Sequence, residues 1–311
     1  MRGTRRPGGE CPTWGARGTR GTRTGRIPRH GAWTRAAGLV RSVPRRAGGR
    51  PSQKGTEMTR RWPEVVWIVR HGQSAGNVAS DLAHEAGLHE IAIAGRDVDV
   101  PLSTLGEEQA DALGRWFAAM PASERPTVVL ASPYVRAMRT AQRIRDAGGL
   151  AHPRTDIIAD ERLREKEFGI LDGLTTAGIH SVFPDQADFR RILGKFYHRP
   201  PGGESWCDVI LRLRSALDTL SLHYREERVL IVCHQVVVLC LRYLLECMTE
   251  DEILAVDRQA EVANCSVTSY AYSHAADANP SLELRLFNFV APLEAAGAPV
   301  TRRKDAPGGA K

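Results

Sequence analysis

The sequence predicts an α/β fold, a three-layer α/β/α sandwich whose mainly parallel central sheet carries an antiparallel edge. Three observations predict it. Short continuous β-branched runs recur along the chain, as strands covered on both faces do. Longer amphipathic stretches separate them, the pattern of helices packed on a parallel sheet. Toward the C-terminus two runs alternate apolar with polar residues instead, which suits strands at a half-covered edge.

Each element can be justified in turn. Val65-Val66-Trp67-Ile68-Val69 is the first buried strand. Leu105 to Met120 reads as a helix with Leu113, Trp116, Phe117 and Met120 inward. Val128-Val129-Leu130-Ala131 repeats the strand pattern, and Pro133 to Ala147 follows as a helix with proline in its first turn, where the missing N–H costs nothing. Ser205 to Tyr224 is a third helix, with Trp206, Val209, Ile210, Leu213, Leu217 and Leu220 on one stripe. Ser205 and Asp208 stand as a capping-box-like start to it. Val229 to Met248 matches a membrane span in length, but His234, Gln235 and Arg242 interrupt it, so it divides into a strand ending at Cys233 and a helix. Ser266 to Tyr272 and Leu282 to Leu286 are the alternating pair expected to close one edge antiparallel.

Charge is unevenly placed. The 311 residues carry a formal +7, a balance that by itself would suggest nucleic acid or an anionic surface as partner. Residues 1–57 hold 14 Lys+Arg against Glu10 and Glu57, a net of +12, and from Met58 onward 29 basic residues face 34 acidic ones, a net of −5. The first segment, 1–60, is Arg/Gly/Thr/Pro text without apolar period and cannot bury enough surface to fold, so it is expected to be a disordered leader. Three readings of it are open: an Arg/Gly-type RNA-binding arm, an organellar transit peptide, or upstream sequence translated from too early a start. The last is favoured because Met58 stands directly before the first structured run. Nucleic acid is therefore not the expected partner of the folded part. The folded domain is expected over 61–293, and 294–311 as a second disordered tail.

The six cysteines show no C-x-x-C and no paired spacing, and no apolar signal segment heads the chain, so neither a disulfide scaffold nor a zinc site is expected, and a reducing cytoplasm is the default. No metal or other cofactor is called for. Oligomeric state has no signature in the sequence.

In open α/β sheets ligands bind just beyond the carboxyl ends of the strands. Here the first buried run leads into Arg70-His71-Gly72-Gln73-Ser74, the second into Ser132-Pro133 with Arg136 a turn further on, and the third into His234-Gln235. With ten histidines in the chain a single His after a strand says little, and the bland reading of each is structural. Two His and two Arg at three strand ends are a different matter: they would converge on one cationic crevice in an acidic domain. Guanidinium forks match phosphate oxygens, and imidazole can serve as nucleophile, donor or cation, so the crevice suits a phosphoryl group.

These residues resemble a family. Arg70-His71-Gly72-Gln73-Ser74 with Asn77 is similar to the signature of the histidine phosphatase superfamily, the phosphoglycerate mutase-like group. Ser132-Pro133-Tyr134-Val135-Arg136-Ala137-Met138-Arg139-Thr140-Ala141 resembles its second block, Leu163 to Gly169 with Asp172-Gly173-Leu174-Thr175 its acid-bearing loop, and Pro201-Gly202-Gly203-Glu204-Ser205 and Val232-Cys233-His234-Gln235 follow in the family's order. The likeness runs from about Val65 to about Leu286. It implies a phosphoglycerate mutase-like fold and His71 as a nucleophile that becomes a phosphohistidine. Arg70, Arg136, His234, Asn77 and the backbone of Gln235 would hold the phosphate, with no metal. It implies Glu165 as the general acid, by its spacing to Gly169, with Glu167 second. Glu204 is open between touching a pocket arginine and supporting a helix start with its charge.

The resemblance implies a phosphomonoesterase acting on a small phosphate ester. The marks of the family's mutases, a Trp before the Asn of the first motif and a Phe-Thr-Gly-Trp loop, are absent, since the chain has Ser74-Ala75-Gly76-Asn77 and then an acidic insertion, Asp81 to Asp99. A mutase and a catalytically silent phosphate-binding protein remain the alternatives. The stretch Lys195 to Ser205 is similar to the bisphosphatase domain of the fructose-2,6-bisphosphate enzymes, with Lys195 where those have a basic substrate contact, but no kinase domain precedes it.

Overall fold

The computed structural model describes residues 62–93, 95–259, 261–273 and 282–302. In chain order the elements are β1 (Val65–Arg70), α1 (Ala75–Glu85), α2 (Thr104–Ala118), β2 (Val128–Ala131), α3 (Val135–Asp146), β3 (Ile157–Ala159), α4 (Thr176–Val182), α5 (Pro184–Tyr197), α6 (Trp206–His223), β4 (Arg228–Cys233), α7 (Gln235–Leu245), α8 (Glu250–Gln259), β5 (Val267–Tyr272), β6 (Leu282–Phe289) and α9 (Ala291–Ala295). The expected leader lies outside the described residues.

The six strands form one sheet in the order β3-β2-β4-β1-β5-β6. β3, β2, β4 and β1 run parallel, while β5 lies antiparallel to β1 and β6 antiparallel to β5, as the alternating runs foretold. Because side chains alternate across a strand, the continuous apolar runs feed two cores at once. Val66, Ile68, Val229 and Ile231 meet Trp206, Val209, Leu213 and Leu220 of α6 and the α7 side chains Val237 and Leu241 on one face. Trp67, Val69, Leu230 and Val232 meet Leu113 and Phe117 of α2 and Ala137, Ala141 and Ile144 of α3 on the other. Trp116 and Met120 pack at the margin of that second core and are only partly buried. The predicted capping box is present: the Ser205 hydroxyl accepts from the Asp208 N–H and the Asp208 carboxylate from the Ser205 N–H.

Two expectations change. The fourth parallel strand, β3, has no sequence signal because it is three residues long and its Ile158 is exposed at the sheet edge. The disordered tail expected from 294 is corrected over 294–302. Leu293 is buried, Ala298 and Val300 pack against the second core, and Asn264 N–H donates to the Thr301 carbonyl at 3.0 Å. Backbone carbonyls and one hydroxyl hold this segment, and composition does not register such bonds. Residues 303–311 lie outside the described residues.

Candidate active site

β1, β2 and β4 are neighbours in the sheet, so their carboxyl ends open into one crevice, and α1, α3 and α7 each start there. Helix N-termini present unsatisfied N–H groups and partial positive charge to whatever occupies that crevice. Ser74 caps α1 and Asn77 returns the bond, so the loop carrying His71 is fastened at its far end. Its near end is fastened by backbone: His71 N–H donates to the Cys233 carbonyl at 2.9 Å and Gly72 N–H to the Thr140 hydroxyl at 3.1 Å.

The structure brings together His71, Arg70, Arg136 and His234, and all four are buried. His71 Nδ1 is 2.7 Å from the Gly72 carbonyl oxygen. A carbonyl can only accept, so Nδ1 carries the proton and Nε2 holds the lone pair of the neutral ring. Arg136 Nε donates toward that Nε2 at 3.3 Å. The His234 ring stands edge-on to His71 with centroids 5.0 Å apart, and its Nε2 is 2.8 Å from the Ser132 hydroxyl. Arg70 Nη1 donates to the Val262 carbonyl. Tyr134 lies under the Arg136 guanidinium, 4.9 Å from its carbon, and burial together with the Asp97 charge pushes its phenol up. Asn77 uses Oδ1 to accept from Ser74 N–H at 3.0 Å and from Asn264 Nδ2 at 3.3 Å, so Nδ2 is the atom with which it can donate to an anion. Gln235 opens α7, where His234 makes no side-chain cap.

Glu165 is buried, and its Oε1 accepts from Lys166 N–H at 2.7 Å. Its loop is braced by Arg212 and Glu204. Arg212 grips both oxygens of Glu204 and also donates to the carbonyls of Glu165 and Arg162, while Arg164 takes Glu204 Oε1 and Glu167 N–H takes Oε2. Burial alone would raise Glu204, but the Arg212 hydrogen bond and charge, with the Glu167 N–H and Arg164, hold it below its ordinary range. Glu204 therefore reaches the loop of Glu165 and neither pocket arginine. Glu167 is only partly buried, and its backbone is what the Glu204 contact uses. Lys195, where the resemblance places a substrate contact, is bound to Asp257.

Several contributors had no signal in the sequence. Asp97, from the insertion, pairs with Arg136. Asn264 donates to the His71 carbonyl at 3.1 Å, and Thr301 donates to Asn264 Oδ1 at 2.9 Å. Gln109 accepts from Gln73 N–H at 2.9 Å and donates to the Pro299 carbonyl and the Thr301 hydroxyl. An Asn inside the apolar run Val262 to Val267 was the one available hint, since buried polar groups are there to be hydrogen-bonded. Among the described residues no group of three or more His, Cys, Asp or Glu could hold a metal ion, and no helix is long and apolar enough to cross a membrane.

A parallel-majority sheet flanked by helices, with two histidines and two arginines just past its strand ends, defines an α/β protein whose candidate site is a cationic crevice. The chain belongs to the histidine phosphatase superfamily, branch 1, whose family model matches residues 66–279. It is 33% identical over 181 residues to a 6-phosphofructo-2-kinase/fructose-2,6-bisphosphatase of Caenorhabditis elegans, covering 57% of this chain and 33% of that protein. It is 28% identical over 209 residues to the probable phosphoglycerate mutase GpmB of Yersinia enterocolitica, covering 67% of this chain and 84% of that one. The chain thus spans about a third of the two-activity relative. Among solved structures, Bacillus stearothermophilus YhfR superposes with a TM-score of 0.57 at 25% identity, over 74% of this chain and 98% of that one. A mycobacterial glucosyl-3-phosphoglycerate phosphatase shares the fold, with a TM-score of 0.53 at 23% identity over 74% and 99%.

Proposed function

We propose that the protein is a metal-independent phosphomonoesterase that hydrolyses a small phosphate ester through a phosphohistidine at His71. The observation that carries this reading is the fixed tautomer of His71, whose Nδ1–H is held on the Gly72 carbonyl so that Nε2 offers its lone pair in the crevice. Nε2 attacks phosphorus, the P–O bond to the leaving group breaks, and Glu165 gives its proton to the departing oxygen. As a carboxylate Glu165 then takes a proton from water, which attacks the phosphohistidine and releases phosphate. Arg70, Arg136 and His234, with Asn77 Nδ2 and the Gln235 N–H, hold the phosphoryl oxygens. Phosphoryl transfer needs positioning and charge compensation, and two guanidinium groups with an imidazole supply both.

The test is phosphate release by the full chain from an aryl phosphate and a panel of phosphorylated metabolites in EDTA, with trapping of an acid-labile, base-stable phosphoenzyme. Loss of both on His71→Ala supports the reading, and full activity in that variant overturns it. Transfer to a second hydroxy acid without phosphate release assigns a mutase instead.

A further inference from the structure

Arg136 is not turned toward an open pocket. It is 2% exposed, and the edge bearing both terminal nitrogens is taken by one residue: Nη1 donates to the Asp97 carbonyl at 2.6 Å and Nη2 to Asp97 Oδ2 at 3.0 Å. That edge of a guanidinium is what pairs with two oxygens of a phosphoryl group. Asp97 thus offers Arg136 the same two-oxygen arrangement that a substrate would bring, while Nε–H rests on the lone pair of the His71 nucleophile. The carboxylate stands in a short turn, Asp97–Asp99, whose following residues are anchored: Val100 is buried and the Pro101 carbonyl accepts from Ala75 N–H at 3.0 Å. On the other side the pair borders a cavity of about 20 Å³, room for about one water, lined also by Ser74, Asn77, Ile91 and Asp172.

We infer that Asp97 is a specificity-determining residue, a resident anion that competes with the substrate's phosphoryl group for Arg136 and sets the threshold an incoming anion must exceed. The inference rests on the phosphatase reading of the same site. An anion with one charge only replaces Asp97 at Arg136 and gains nothing there. A phosphate monoester, with three oxygens and up to two charges, also engages Arg70 and His234 and displaces Asp97 at a profit in binding. Once Arg136 swings onto the phosphate, its Nε–H leaves His71 Nε2 and the nucleophile is released. Asp97 therefore couples arrival of the right anion to exposure of the lone pair, and it selects monoesters over singly charged diesters.

The experiment compares the full-length wild type with Asp97→Asn, using orthovanadate inhibition of aryl phosphate hydrolysis and turnover of bis(4-nitrophenyl) phosphate, a monoanionic diester. The expected result is a vanadate inhibition constant lowered about tenfold, a fall in KM for the monoester, and a rise in diester turnover relative to monoester. Asp97→Ser, which also removes the charge, carries the same expectation should the asparagine variant melt early. Asp99→Asn, two residues away and paired with exposed Arg96, should change none of these. An unchanged or weaker vanadate constant in both Asp97 variants, with the wild type active and inhibited, overturns the inference alone. A wild type that neither releases phosphate nor responds to vanadate overturns the phosphatase reading and this inference with it.

Discussion

Arg212 holds Glu204 by both oxygens, Nε to Oε1 at 2.9 Å and Nη2 to Oε2 at 3.0 Å, and the same Nη2 reaches the Glu165 carbonyl at 3.2 Å. The proposed general acid is thus positioned through its backbone by an ion pair on the neighbouring helix. Arg212→Ala should lower kcat about tenfold or more with little change in KM, because it loosens the acid and leaves the phosphate contacts in place. It should also cost about 3 kcal/mol of stability, since it leaves the part-buried Glu204 carboxylate short of its main partner. Steady-state kinetics and a thermal melt measure the two effects.

The same pair sets an acid limit. Glu204 titrates below its unfolded value, so its contribution is complete above the ordinary glutamate range and disappears as pH falls through the lower folded value. Glu204→Gln should be less stable at pH 7 and show a shallower loss than wild type as pH falls below the ordinary glutamate range of about 4.5. Parallel acid-melting curves for the two proteins would contradict this.

Removing the acid while keeping the nucleophile should separate the two chemical steps. Glu165→Gln is expected to lower turnover of alkyl phosphates about 10²- to 10⁴-fold, with a smaller loss on an aryl phosphate whose leaving group needs no proton. The phosphoenzyme should then accumulate, because the second step lacks its base. Rapid-quench labelling gives the answer.

Lys166 is a buried cation beside Glu165. Burial first, and the Arg190 charge second, lower its ammonium to about 8, while its Nζ sits 4.2 Å over the Phe168 ring. The folded value lies below the unfolded one, so the unfolded chain binds more protons between pH 8 and 10.5, and stability should rise with pH across that window. Lys166→Met should be more stable at pH 7 by roughly 1–3 kcal/mol, the advantage shrinking toward pH 10.5. Denaturant melts at pH 7 and pH 10 test the sign.

At the base of the pocket two glycines meet. A Cβ on Gly106 would lie 1.9 Å from the Gln73 carbonyl oxygen, and one on Gly72 would lie 2.4 Å from the Gly106 carbonyl oxygen. Both obstacles are backbone, which cannot yield as a side chain does. Gly106→Ala should cost about 3 kcal/mol or more and lower kcat by displacing the His71 loop. A melt unchanged within 1 °C would show that the loop can retreat.

Much of this architecture was legible because the sequence signals were redundant. β1, β2 and β4 announced themselves by β-branched continuity, and His71, Arg136 and His234 by their position just past those runs. β3 offered only Ile157-Ile158-Ala159, too short for a period to register. α5 mixes exposed Phe189, Ile192 and Leu193 with charge and kinks at Gly194, which has a φ of 76°, so its pattern conforms to no single face. Asp97 was invisible for a different reason: its meaning lies in a contact with Arg136 39 residues away, and nothing local in an acidic insertion distinguishes one aspartate from the next. Sequence alone leaves Glu204 open between a pocket arginine and a helix start, and its actual partner Arg212 lies eight residues on, within a helix read for its apolar stripe and its cap.

The strand of bonds from Thr301 through Asn264 and Gln109 to the His71 loop has a consequence for a growing chain. Thr301 lies 192 residues beyond Gln109. All six strands can be synthesised and paired before Pro299 and Thr301 emerge. A polypeptide grown only as far as α9 would possess its sheet, His71 and His234, with Asn264 and Gln109 still lacking their Thr301 and Pro299 partners. Pairing of the sheet and completion of the support beneath His71 are therefore separate events along the chain, the second waiting on residues beyond α9.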